Sequence, residues 1–157
     1  MSSVIEHIAF DQFVLDCRRL ANIIHKAGAP KRIVAVTRGG LVPASVISQF
    51  LDIREIHTIG LSSYDDMQKS EDIVEYVCPD VEDSPDTLFV DDLVDSGHTH
   101  QYIKEKYPHS KIAVIYSKNP PCSLKAHDII RHCRQWCQRN YHLIAIPFHI
   151  VICLPPV

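Results

Sequence analysis

The sequence predicts an α/β fold, a mostly parallel sheet flanked by helices on both faces. Three observations predict it. Short apolar runs such as Ile33-Val34-Ala35-Val36 and Leu88-Phe89-Val90 read as strands of the buried kind. Segments with apolar residues at helical spacing alternate with them. The residues that follow the apolar runs carry the chemistry: Arg38-Gly39-Gly40, Asp91 to Thr99, and Lys118. An open parallel sheet binds its ligands at such strand ends.

Each element follows in order. Phe10, Phe13, Val14, Cys17, Leu20, Ala21 and Ile24 recur at the spacing of an amphipathic helix, with Asp11 as N-cap, Gly28 as stop and Pro30 just beyond. Ile33 to Val36 form the first strand. Pro43 suits the first turn of a helix carrying Val46, Ile47, Phe50 and Leu51. A second strand runs from Ile56 to Leu61. Residues 65–86 hold nine acids, one lysine and two prolines and read as an exposed excursion. A strand over 87–91 follows, then a helix to about Lys106, a turn at Tyr107-Pro108-His109-Ser110, and a strand from Lys111 to Tyr116. Ile144 to Leu154 is apolar apart from Pro147 and reads as a closing strand or an oligomer contact.

With 157 residues the chain predicts a single domain, 1–157, able to bury about two-thirds of its unfolded surface. A net charge of −3 gives no basic footprint for nucleic acid. No apolar run reaches the roughly 20 residues of a transmembrane helix, and Met1 to His7 lack the pattern of a secretion signal. Six irregularly spaced cysteines read as buried thiols of a reducing compartment, so the expected location is cytoplasmic.

Asp91-Asp92-Leu93-Val94-Asp95-Ser96-Gly97-His98-Thr99 is the most informative stretch. Two acids close a strand, and a short turn then opens a helix. A helix N-terminus offers backbone N–H groups and a positive dipole to a phosphate. The acids would repel that phosphate, so they suit sugar hydroxyls or a divalent cation. A phosphorylated sugar with a metal ion is the ligand that fits. The absence of Gly-Lys-Ser/Thr after the glycine excludes a P-loop.

The same stretch resembles the phosphoribosyl pyrophosphate-binding motif of the type I phosphoribosyltransferases, and the predicted fold becomes theirs: a mostly parallel sheet with a small hood. Thr37-Arg38-Gly39-Gly40-Leu41-Val42-Pro43 is similar to the pyrophosphate loop of the bacterial xanthine-guanine branch of that family, and Ser62-Ser63-Tyr64-Asp65 to the start of its mobile loop. The resemblance spans about residues 10–119 and implies a purine phosphoribosyltransferase of salvage, taking guanine, xanthine or hypoxanthine and releasing pyrophosphate. It further implies that Arg38 and Gly39 hold pyrophosphate, that Asp91 and Asp92 hold the ribose hydroxyls, and that Asp92 contacts Mg²⁺, directly or through water. Asp95 would take the proton from purine N7. Ser96, Gly97, His98 and Thr99 would wrap the 5′-phosphate, His98 through its backbone. Lys118 would donate to a 6-oxo oxygen, Trp136 would stack on the base, and Cys137 would offer it a backbone contact. A homo-oligomer is expected.

Beyond Pro120 the match decays, and 121–157 reads as a divergent hood or C-terminal segment. Four of the six cysteines and five of the ten histidines lie in 109–157. His132, Cys133, Cys137 and His142 have only a loose zinc-ligand spacing, amid Arg131, Arg134 and Arg139. The sole cation in the 65–86 excursion is Lys69, where the xanthine-guanine enzymes carry several. Two alternatives follow: a transferase for another nitrogenous base, or a phosphoribosyl pyrophosphate-sensing regulator without catalysis. Retention of Asp95 favours an enzyme.

Overall fold

Four strands lie side by side and parallel, and every other element is placed by them. The computed structural model describes residues 7–63, 73–95 and 97–117, and the backbone of 142–146 and 150–154. In chain order the elements are α1 (Phe10–Lys26), β1 (Arg32–Thr37), α2 (Leu41–Leu51), β2 (Glu55–Ser63), β3 (Ile73–Val77), β4 (Thr87–Val94), α3 (His98–Lys106), β5 (Lys111–Ser117), β6 (His142–Ile146) and β7 (Ile150–Leu154). They form one sheet in the order β3-β2-β1-β4-β5-β7-β6. β1 pairs parallel with β2 and with β4, and β4 with β5. β3, β7 and β6 extend the two edges antiparallel.

Strand residues alternate between faces, and here both faces are dry. Ile33, Ala35, Leu88, Val90, Ala113 and Ile115 pack with Cys17, Leu20 and Ile24 of α1 and Ala44 and Ile47 of α2. Val34, Val36, Phe89, Ile112 and Val114 pack with Ile103 of α3 and with Tyr107. Burial on both sides is why the sequence shows continuous apolar runs. The chain leaves β1 through α2 toward one edge, and leaves β4 through α3 toward the other. The strand order therefore reverses at the β1–β4 seam, where such sheets open a crevice beyond their C-terminal ends.

Several expectations change. α1 begins at Phe10 with Ala9 as N-cap and no capping side chain, so Asp11 sits in the first turn, where a negative charge still suits the dipole. Its end is as predicted: Gly28 takes φ +96°, which favours glycine, and Lys111 Nζ donates to the Gly28 carbonyl at 2.7 Å. Phe10 and Phe50 are largely exposed rather than core. Phe10 stacks on Phe13, and the Arg18 guanidinium lies over the Phe50 ring. Cys78 is exposed, unlike buried Cys17, whose thiol is pushed up to about 12 by burial. The other four cysteines lie outside the residues whose side chains are described.

The 65–86 excursion contains a strand, β3, which makes an antiparallel pair with β2. Its Glu75 accepts from Lys106 Nζ at 2.7 Å and from the Tyr102 hydroxyl at 2.9 Å, both on α3. The closing segment is likewise two strands, β6 and β7, paired with each other. Pro147 falls between them in the sequence and lies outside the described residues.

Phe89 is fully buried, with its ring centroid 4.8 Å from that of Tyr107. Phe89→Ala is expected to lower unfolding free energy by about 3–5 kcal/mol, read as a fall in denaturant midpoint at unchanged slope.

Candidate active site

The seam between β1 and β4 brings two of the predicted loops together. The strands are in register to Ala35↔Val90, and β4 then continues to Val94, three residues further than the sequence pattern suggests. Asp91 and Asp92 are consequently strand residues, and the alternation that governs Phe89 and Val90 governs them too. Asp91 shares the face of Phe89 and meets α3, where its Oδ2 lies 3.1 Å from Nε2 of His100. Asp92 shares the face of Val90 and meets the loop after β1. A Cβ built on Gly39 would fall on the Asp92 carboxylate, and one built on Gly40 on the carbonyls of Val90 and Val36. Gly40 is needed because loop and strands touch there through backbone, and Gly39 because the Asp92 side chain occupies the space a Cβ would take.

That loop is tight. Gly40 N–H donates to the Val36 carbonyl at 2.7 Å and Leu41 N–H to that of Arg38 at 3.2 Å, starting α2 directly. The Thr37–Arg38 peptide is cis. The Thr37 hydroxyl donates to the Ile59 carbonyl at 3.1 Å and fixes the strand end against β2. Arg38 and Gly39 are exposed at the rim, where a guanidinium can meet an anionic ligand.

Beyond β4, Asp95 is exposed and Gly97 adopts φ +92° as N-cap of α3, with no side chain capping the helix. His98 and Thr99 are half-buried and belong to the first turn of α3 rather than to a free loop. A helix N-terminus leaves its first-turn N–H groups without intrahelical partners, the setting in which an anion can bind. Ser96 lies outside the described residues, as do Tyr64, Asp65, Lys118, Trp136 and Cys137. β5 ends at Ser117, so Lys118 follows it directly in the sequence.

Electrostatics separates the two acids. Asp91 is buried, and its Oδ1 accepts the backbone N–H of Asp92 at 2.9 Å. Asp92 is partly buried and stands beside the Asp91 charge; desolvation first, and Asp91 second, push its carboxyl above the ordinary range. Excess negative charge of this kind is what a divalent cation relieves. Among the described residues no group of three or more His, Cys, Asp or Glu side chains could hold a metal ion. A cation at Asp92 would thus take most of its ligands from water and from a bound phosphate, which suits Mg²⁺.

His100 was not among the residues read from the sequence. It sits one turn into α3, and its signal was weak: a histidine where the helical period calls for an apolar residue.

The chain matches the phosphoribosyl transferase domain family over residues 8–139. It is 38% identical over 114 residues to the xanthine-guanine phosphoribosyltransferase of Idiomarina loihiensis, covering 71% of this chain and 70% of that protein. A xanthine-guanine-hypoxanthine phosphoribosyltransferase from Helicobacter pylori superposes with a TM-score of 0.57 at 25% identity, over 76% of this chain and 80% of that one. A purine phosphoribosyltransferase from Pyrococcus horikoshii shares the fold, with a TM-score of 0.60 at 23% identity over 73% and 81% of the two chains.

Two outcomes test the site. A carboxyl raised above its unfolded value leaves the protein most stable below that value and less stable as pH rises through the folded one. Asp92→Asn is therefore expected to raise the denaturant midpoint at neutral pH, with the gain shrinking toward pH 4. Gly39→Ala should displace the Asp92 carboxylate while leaving the core intact, so ligand affinity falls with little change in melting temperature.

Proposed function

The chain belongs to the phosphoribosyl transferase family and is a phosphoribosyltransferase, and on that premise we propose that it moves 5-phosphoribose from phosphoribosyl pyrophosphate to guanine, xanthine or hypoxanthine, releasing pyrophosphate. One observation carries this reading: the N-terminus of α3 and two carboxylates of unequal environment meet a glycine loop at the sheet's switch point. A donor with a 5′-phosphate, ribose hydroxyls and a pyrophosphate uses all three.

The anomeric carbon becomes oxocarbenium-like as the bond to pyrophosphate breaks and a base nitrogen attacks. First-turn N–H groups of α3, with Ser96, Gly97, His98 and Thr99, hold the 5′-phosphate. Asp91 accepts from ribose hydroxyls, and Asp92 shares this and would hold Mg²⁺, directly or through water. Bound there, Mg²⁺ would neutralise charge on the leaving group. Arg38 and the Gly39 backbone hold pyrophosphate at the rim of β1. Asp95 takes the proton from N7 of the purine. Lys118, directly after β5, donates to the 6-oxo oxygen, Trp136 stacks on the base and Cys137 offers a backbone contact. The names of the relatives support a 6-oxopurine over adenine. The protein is read as a homo-oligomer. No helix among the described residues is long and apolar enough to cross a membrane, in keeping with the cytoplasmic reading.

The acidity of 65–86 is compatible with an anionic donor because much of it faces elsewhere. Glu82 and Asp86 pair with Arg32 and Lys31 at the start of β1, and Asp83 binds His109 and Ser110 before β5. These acids lie at the N-terminal ends of the strands, the rim opposite the crevice.

Nucleotide formation from phosphoribosyl pyrophosphate and Mg²⁺ with guanine, xanthine, hypoxanthine and adenine, run in parallel, tests the proposal. Turnover of the 6-oxopurines is expected, falling about 10²- to 10⁴-fold in Asp95→Asn, the usual range for loss of a proton acceptor. Donor binding without turnover of any purine would move the assignment to another base or to a sensor.

A further inference from the structure

His100 is buried, with 9% of its surface exposed, yet neither ring nitrogen completes an aligned hydrogen bond. Its Nε2 nevertheless lies 3.1 Å from Asp91 Oδ2. A position on the inner face of α3, one turn before buried Ile103, is served more cheaply by leucine, because an imidazole without partners carries a desolvation penalty. Packing therefore does not account for the residue. The other oxygen of Asp91 is already held by the Asp92 backbone N–H at 2.9 Å. A donor on Oδ2 would fix the carboxylate at both oxygens and still leave each a lone pair for a ligand hydroxyl.

We infer that His100 is a positioning residue for the donor sugar: its Nε2–H donates to Asp91 Oδ2 and holds that carboxylate toward the ribose hydroxyls, leaving Asp92 as the acid that meets the cation. The inference rests on the proposed sugar-phosphate site. The approach is off-line, and active-site hydrogen bonds of this kind commonly tighten on ligand binding. The division of labour is set by the strand. Asp91 points to the face that carries α3, and His100 of that helix brings a donor there. Asp92 points to the face of Gly39, which has no side chain to offer.

Three substitutions at one position test this. Glutamine places its amide nitrogen near the position of Nε2, asparagine places its own nearer Nδ1, and leucine fills the space without a donor. KM for phosphoribosyl pyrophosphate is expected to rise about ten- to a hundredfold in His100→Leu and His100→Asn, the range for losing a hydrogen bond to a charged group. KM for guanine should stay within about twofold, and His100→Gln within about threefold of wild type for both. A packing role predicts the reverse order, with leucine tolerated better than glutamine. An unchanged donor KM in His100→Leu, or equal effects on donor and base, overturns the inference while leaving the transferase reading intact. A wild-type protein that does not bind the donor overturns both. Should His100→Leu fail to fold, the contrast between His100→Gln and His100→Asn decides alone.

Discussion

Consecutive residues of one strand must point to opposite faces of the sheet, and the site depends on that constraint. Asp91 and Asp92 are neighbours in sequence, yet they meet different surroundings because β4 stays regular to Val94. One carboxylate is directed at a helix with an imidazole, the other at a loop made of glycine. Had β4 ended at Val90, both acids would belong to a loop with no fixed orientation. The backbone ladder thus turns a pair of like charges into two groups with separate tasks, and the seam glycines allow the second strand end close enough to matter.

Charge is distributed over the molecule in a way consistent with that division. Asp92 keeps a raised carboxyl beside Asp91, whereas two acids outside the crevice are matched. Glu75 is held well below the usual carboxylate range, chiefly by the Lys106 ammonium, and Asp86 likewise by Lys31. Both are exposed contacts of small individual worth. Their placement matters more than their strength, because they keep negative charge engaged at the far rim and at the C-terminal end of α3. A net charge of −3 therefore says little about the field an anion meets at the seam.

The buried strands were legible because a face covered on each side leaves no position for a polar residue, as in Ile33 to Val36. α1 was legible through Cys17, Leu20, Ala21 and Ile24, and its stop through Gly28. β3 was hidden by Glu75, an acid that reads as solvated until Tyr102 and Lys106 are seen to meet it across 27 and 31 residues of sequence. Phe50 misled in the other direction, since a large aromatic was assigned to the core while Arg18 shelters it at the surface. At the site, spacing identified the Asp91–Thr99 stretch and the Arg38–Gly39 loop, but the reason for Gly39 appears only when Asp92 is placed against it. His100 was missed because a contact between α3 and β4 depends on which face of the strand Asp91 takes.

The seam also has a kinetic meaning. β1 meets β2 through Arg32↔Glu55, a span of 23 residues, and β4 meets β5 through Leu88↔Lys111, also 23 by subtraction. The join between these two local units, Arg32 to Thr87, spans 55. Closing the longer loop costs only about 0.8 kcal/mol more by polymer scaling, so the halves form cheaply and their union is not prohibitive. The residues assigned to the donor nevertheless divide across that union, Arg38 and Gly39 following β1 and Asp91 to Thr99 belonging to β4 and the start of α3. A fluctuation that parts β1 from β4 would dismantle the site while each βαβ half kept its own hydrogen bonds. In rising denaturant such a molecule would lose ligand binding before its helix signal, and ligand would act as the clasp that keeps the halves together.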